Sequence, residues 1–317
     1  MGIRDAAARW ARSRLSVPYD VLGLYGWVLE ESRPPRLSPP EAGPLKISWI
    51  LPFVSRGGGG LLNIFRAIHH LEKWGHEIRV YVLGRGALSG AQAQELARDF
   101  YFPVKAPIEV FTGKVADSDA LVATEWTTAY AARGVPNTAG KFYFVQDLED
   151  RFYPEGSLSE FAKETYRWGF HGITLGRWIA DVLHSEFGMA CSPFGFSYDR
   201  DVYSPNGSDR ARGQRKRVLF YARPQTERRG FELGVLALAL VAKKMPDVEF
   251  VLVGFQPLKM RLPFRATFGG VLSPAELARL YRGCDVALVL SHTNLSMLPL
   301  ELMACGCAIV SNGGPNI

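Results

Sequence analysis

Apolar positions along this chain fall into two alternating kinds of segment. Short, nearly continuous apolar runs of strand length alternate with longer stretches in which apolar residues recur every three or four positions. Residues 46–53, 77–83, 120–124, 141–145 and 172–175 read as strands. Residues 61–74, 126–133 and 177–187 read as the intervening helices. A second series follows a polar, basic stretch at 204–214: strands at 217–222, 248–254, 285–290 and 307–310, helices at 231–244, 273–282 and 297–305. Ser273 with Glu276 three residues on forms a capping box. Ser296 is expected to cap the last helix and Gly306 to close it. Continuous apolar strands separated by helices predict parallel sheets covered on both faces. The expected fold is therefore α/β: two doubly wound domains in tandem, with ligands beyond the carboxyl ends of the strands, in the cleft between them.

The expected boundaries are 1–44, an N-terminal helical and Pro-rich extension; 45–205, the first Rossmann-like domain; and 206–317, the second. In the extension, Arg4, Arg9, Arg12 and Arg14 accompany Trp10, and Pro34, Pro35, Pro39 and Pro40 mark an extended linker. The sequence stops at Gly313 to Ile317, just after a strand, where a doubly wound domain ordinarily adds helices. The second domain is therefore expected to be small or truncated.

Composition narrows the class. Of 317 residues, 47% are hydrophobic and 21% charged, as in an ordinary globular protein, which excludes a disordered or fibrous chain. No apolar run approaches the ~20 residues of a membrane-spanning helix. No apolar segment follows the N-terminal arginines, so they do not start a secretory signal. Four cysteines (Cys191, Cys284, Cys305, Cys307) show no zinc spacing and are too few for a disulfide scaffold, which suits a cytoplasmic location. The net charge is +6. Arg210, Arg212, Arg215, Lys216, Arg217, Arg223, Arg228 and Arg229, against Asp209 and Glu227, account for all of that excess within one short window. A local basic cluster points to an anionic ligand or surface; residues 210–217 read rather as a solvated linker. The window lacks the interleaved aromatic residues that stack on bases, so nucleic acid is not an expected partner.

Candidate chemistry concentrates at the predicted cleft. Residues 291–307 run from a strand end through a loop into a helix start, where free amides and the helix dipole suit a phosphate. Glu301 sits in the first turn of that helix, where a carboxylate can accept from two vicinal hydroxyls, as on a ribose. Arg223 and Arg228, five apart after a strand, can neutralise a diphosphate, and Arg229 competes for that role. Gly57 to Gly60 follow the first strand and allow close backbone approach. This run is neither a Walker loop nor the dinucleotide fingerprint, which argues against a nicotinamide oxidoreductase.

These segments resemble the nucleotide-sugar site of retaining GT-B glycosyltransferases of family 4, and most nearly the WsaF-type bacterial rhamnosyltransferases. The resemblance spans roughly residues 45–316. It implies a GT-B fold, an enzyme of the hexosyltransferase kind, and a nucleoside-diphosphate-sugar donor. It also implies transfer with retention, without a required metal or other cofactor. Glu301 matches the family's ribose-holding glutamate; the position of its first glutamate is Thr293. Thr293, Ser296, Met297, Leu298, Gly59, Gly60 and Arg229 complete the implied donor site, with Arg223 and Arg228 on the leaving diphosphate. On the acceptor side, Gln146 and Asp147 stand where many relatives have His-Asp, and Glu125 and Trp126 end another strand. A plain helix cap is the competing role for Glu125. The implied partners are a nucleotide sugar and a glycan or lipid-linked acceptor in polysaccharide synthesis at the cell envelope. Residues 1–16 offer a peripheral contact at the inner face of the membrane. The competing reading is a non-catalytic module that binds nucleotide sugars or glycans.

Other tempting motifs read as structural. Asp117-Ser118-Asp119 resembles a metal-binding triplet but falls at the amino end of a strand, away from the ligand side. His69 and His70, adjacent in a helix, point to different faces, and His76 reads as a residue at the start of a strand.

Overall fold

The computed structural model describes residues 20–84, 88–206, 215–255 and 260–314. The expectations for Trp10 and the N-terminal arginines, for Arg210 and Arg212, and for residues 315–317 lie outside the described residues.

Two all-parallel sheets form the frame. The first has strand order β3-β2-β1-β4-β5-β6-β7, from β1 (Lys46–Leu51), β2 (Glu77–Val82), β3 (Ile108–Val110), β4 (Ser118–Ala123), β5 (Thr138–Val145), β6 (His171–Leu175) and β7 (Cys191–Phe194). The second has order β10-β9-β8-β11-β12, from β8 (Arg217–Tyr221), β9 (Glu249–Val253), β10 (Ala266–Gly270), β11 (Val286–Val289) and β12 (Ala308–Ser311). In both, the order reverses beside the first strand, which opens a crevice at the carboxyl ends. β1, in the interior of the first sheet, is buried throughout after Lys46. Two apolar clusters cover the opposite faces of each sheet, one pair built around Phe65 and Tyr143, the other around Leu302 and Phe220.

Helices Trp126–Arg133, Arg177–Phe187 and Phe231–Lys244 have the predicted bounds. The Ser273/Glu276 capping box is formed at the start of helix Pro274–Arg282. Several elements escape the sequence pattern, helix Ser157–Thr165 among them. Helix Gly90–Phe100 is Ala- and Gln-rich and buries only Ala93 and Ala97. β3 is three residues long, β7 contains Pro193, and β10 ends in two glycines. All three strands lie at sheet edges, where short length and poor β-formers are tolerated.

The segment before β1 is no free linker over its described part. Its backbone follows the first domain: Arg33 N–H donates to Arg133 O, Arg36 to Pro136 O and Leu37 to Thr138 O. Lys141 Nζ donates to the carbonyls of Arg33 and Arg133. Burial, with Arg133 adding repulsion, lowers this lysine to a pKa of about 8. Trp27 packs edge-on against Tyr130 and tilted against Trp126.

Candidate active site between the two sheets

Loops from the carboxyl ends of both sheets line one cleft of about 440 Å³. It gathers Gly57 to Gly60, Glu125, Gln146 and Asp147 from the first domain with Arg223, Arg228, Arg229, Ser296, Met297, Leu298 and Glu301 from the second. These residues are far apart in sequence, and the reversal of strand order in each sheet brings them together.

The Gly-rich turn sets one wall. Gly57 has φ +82°, and a Cβ there would lie 2.7 Å from Val271 of the second domain. Only glycine allows both the conformation and that approach. The carbonyl of Gly57 accepts a 3.1 Å hydrogen bond from Arg223 Nη1 across the cleft. Gly58 then caps the fifteen-residue helix Gly59–Lys73 without a side-chain hydrogen bond. The opening amides of a long helix thus face the cleft beside Arg223, a favourable place for an anion.

Asp147 is the centre of the opposite wall. Its carboxylate accepts from Thr293 Oγ1 at 2.7 Å and lies 3.4 Å from Arg228 Nε. The Arg228 guanidinium also sits over the Phe152 ring, 3.7 Å from its centroid. Burial raises Asp147 above the usual carboxylate range despite Arg228 and Thr293, and lowers Arg228 despite Asp147. Both halves of the pair are thus largely desolvated, so their mutual attraction is little screened by water. Arg229 behaves differently. Nη1 donates to Asn294 O at 2.8 Å, and burial with the neighbouring Arg228 cation lowers its pKa to about 10. It braces the loop that carries Ser296. Asn294 completes the brace: Nδ2 donates to Gln146 O at 3.1 Å, and Oδ1 accepts from Ser296 N at 2.7 Å.

Three expectations are corrected by this geometry. Ser296 is not the helix cap: it has φ +61°, a strained value for a side-chain-bearing residue, and Met297 caps the seven-residue helix Leu298–Ala304. That helix offers few free amides, because Pro299 has none and the Leu300 and Glu301 amides bond to Met297 O. The amides left to face an anion are those of Met297 and Leu298 on this side of the cleft and of Gly59 and Gly60 on the other. Thr293 does not line the cleft; it is buried and engaged with Asp147. Trp126 does not line it either. Its indole donates to Tyr153 Oη within an aromatic cluster, and its amide donates to Glu149 Oε2. Met297 side-chain packing extends into the apolar cluster of the first domain, so it joins the two domains.

Glu301 lies inside, 7% exposed, and burial raises its carboxyl to about 7 against the opposing pull of Arg66 and a hydrogen bond with Tyr203. Beside it, the Tyr281 hydroxyl is buried, lines the cleft and has no hydrogen-bond partner among the described residues. A buried orphan hydroxyl costs stability unless a ligand satisfies it. Glu149 is a further cleft residue that the sequence reading passed over. Its carboxyl is fully buried, accepts from Tyr143 Oη at 2.8 Å, and is pushed well above its ordinary pKa by burial and by Glu125. Three acids within 147–150, directly after an apolar strand, were the signal for it. Glu125 Oε2 accepts from Thr127 Oγ1, so its helix-start role and its place in the cleft coexist. The Asp117 triplet stays at the amino end of β4, where Asp119 accepts from Lys46 N and Asp117 from Asn137 Nδ2. His69 rests near Phe102, His70 near Trp74, and His76 Nδ1 accepts from Leu45 N.

Two parallel-sheet domains with ligand loops facing one interdomain cleft define the GT-B fold, and solved structures of that fold superpose on the chain. Anabaena HepE, in complex with UDP and glucose, aligns with 84% of this chain and 80% of its own at 16% identity and a TM-score of 0.58. A Rickettsia africae glycosyltransferase aligns over 85% and 79% at 14% identity and a TM-score of 0.59. The lipopolysaccharide outer core galactosyltransferase WaaB aligns over 85% and 82% at 14% identity and a TM-score of 0.55. Residues 216–316 match the WsaF C-terminal domain family. The Myxococcus xanthus O-antigen biosynthesis protein RfbC is 37% identical over 201 residues, 62% of this chain. The chain spans 16% of the length of that relative. No helix among the described residues is long and apolar enough to cross a membrane.

Proposed function

We propose that the chain is a retaining glycosyltransferase. It transfers a hexose-type sugar, rhamnose being the specific reading, from a nucleoside diphosphate to a glycan or lipid-linked acceptor in O-antigen-type polysaccharide synthesis. The observation that carries this reading is the convergence of Arg223, Arg228, the Gly59–Gly60 amides, Glu301 and the orphan Tyr281 hydroxyl on one cleft. The WsaF-domain match and the resemblance to an O-antigen biosynthesis protein support its biological setting.

In this reading Glu301 holds the ribose hydroxyls, and the diphosphate lies between Arg223 and the start of helix Gly59–Lys73. The bond from the anomeric carbon to the diphosphate breaks while the acceptor oxygen bonds on the same face. The acceptor proton passes to the departing diphosphate oxygen. Arg223 and Arg228 stabilise the charge that develops there, which is where fixed cations act most strongly. They take the charge-neutralising role, so the reading includes no metal and no other cofactor. Gln146, Asp147 and Glu125 face the acceptor side. The site of action is the cytoplasmic face of the inner membrane, with residues 1–16 as a peripheral contact.

Two measurements test this. A thermal-shift screen of thymidine, uridine, guanosine and adenosine diphosphates should single out one base. Arg223→Ala should lower donor turnover by about 10²-fold or more, the usual cost of removing one transition-state donor, while the protein stays folded and loses only the stability of its hydrogen bond to Gly57 O. Full turnover in that variant would refute the assignment. One observation favours the non-catalytic alternative: Thr293, at the family's first-glutamate position, is committed to Asp147. Donor hydrolysis without acceptor separates the two, because a binding module retains the nucleotide sugar intact.

A further inference from the structure

Helix Phe231–Lys244 covers one face of the second sheet, yet it buries only Gly234 and Leu238. A helix on a sheet surface normally turns charged residues outward, and a helix apolar on all sides belongs in an interior. From Phe231 to Ala242 this helix has a single charged residue, Glu232. Its outer face shows Leu233 at 56%, Leu236 at 64% and Leu240 at 62% exposure. At about 100° per residue, Glu232, Leu233, Leu236, Leu240, Lys243 and Lys244 fall on one face roughly 120° wide. The acid stands at one end of the leucine stripe and the two lysines at the other, all exposed.

We propose that this face joins two copies of the chain, helix against helix, antiparallel about a twofold axis. The charge order selects the occupant. In an antiparallel pair Glu232 of each copy meets Lys243 and Lys244 of its partner, while the leucines interdigitate around the axis. A parallel pair would set acid against acid and lysine against lysine. A twofold contact is self-complementary in this way without any second kind of surface. An anionic lipid surface fits less well, because an interfacial helix needs cations along its polar margins and here one end is acidic. One short helix per copy makes a small interface, so the association is micromolar rather than tight.

Sedimentation velocity on the full chain, across the micromolar range, tests this. The wild type should move from monomer to dimer. Leu236→Glu with Leu240→Glu should weaken dimerisation roughly tenfold or more while diphosphate affinity is retained. Glu232→Lys should weaken it, and adding Lys243→Glu and Lys244→Glu to that variant should restore it. Circular dichroism and diphosphate binding verify that each variant is folded. The proposal is overturned by a wild type that stays monomeric, by a double-glutamate variant that still dimerises, or by a triple variant as weak as the single one. It is equally overturned by a monomer that floats with phosphatidylglycerol vesicles through this face.

Discussion

Glu301 illustrates how one residue's environment sets its chemistry. Burial lifts its carboxyl to about 7, so near neutrality it is partly protonated. Two ribose hydroxyls donating to it would favour the ionised form. Nucleotide binding should therefore release protons at pH 6, a result that calorimetry in buffers of different ionisation enthalpy reads directly. The raised value also bears on folding. A carboxyl with a higher pKa folded than unfolded stabilises fully below its unfolded value of 4.5, and that contribution disappears as pH rises through about 7. Glu301→Gln should thus gain thermal stability relative to wild type at pH 8 and lose that advantage at pH 4, while diphosphate affinity falls about 10- to 100-fold. The place of Arg223 and Glu301 in the cleft could be anticipated from residue type and spacing. That of Tyr281 could not, because a buried hydroxyl is marked by its surroundings and not by its neighbours in sequence; Glu149 was signalled only by the run of acids after β5.

Among the elements, the Gly-rich turn is constrained at its first residue and open at its third. Gly57→Ala forces a Cβ into positive φ and against Val271, so it should cost about 1–3 kcal/mol by denaturant unfolding. Gly59→Ala, with nothing within 4 Å of its Cβ position, should be neutral or stabilising in the same measurement. Elements with a full apolar stripe and recognisable caps were legible in the sequence, as with the helix begun by Ser273. The edge strands β3, β7 and β10 were not, since Pro193 and paired glycines read as turns until a neighbouring strand fixes their pairing. The short helix bearing Glu301 was legible, but its start was misplaced by one residue, because a serine in a strained conformation looks like a cap on paper.

Across the whole molecule, Asp147 ties the domains together. It is held by Thr293 and Arg228 from the other domain, and Asn294 adds a bond to the adjoining Gln146 carbonyl. Asp147→Ala leaves the buried Arg228 cation without its anion and should destabilise the protein by about 3–5 kcal/mol, split the calorimetric transition into two, or both. Thr293→Val, which removes one hydrogen bond and keeps the ion pair, should cost about 1 kcal/mol. The tandem architecture followed from the alternation of apolar runs, but this tie did not. It depends on how two loops 146 positions apart meet, and no local pattern records that distance.

The packing of Trp27 against Trp126 and Tyr130 redraws the outline of the first lobe. Its aromatic floor is roofed by polypeptide lying upstream of every strand. A boundary drawn at the first strand would leave oily rings open to water and invite clumping, although no residue of either sheet would be missing. The minimal unit is defined by which side chains shelter which, and it starts well ahead of the point where β-structure begins.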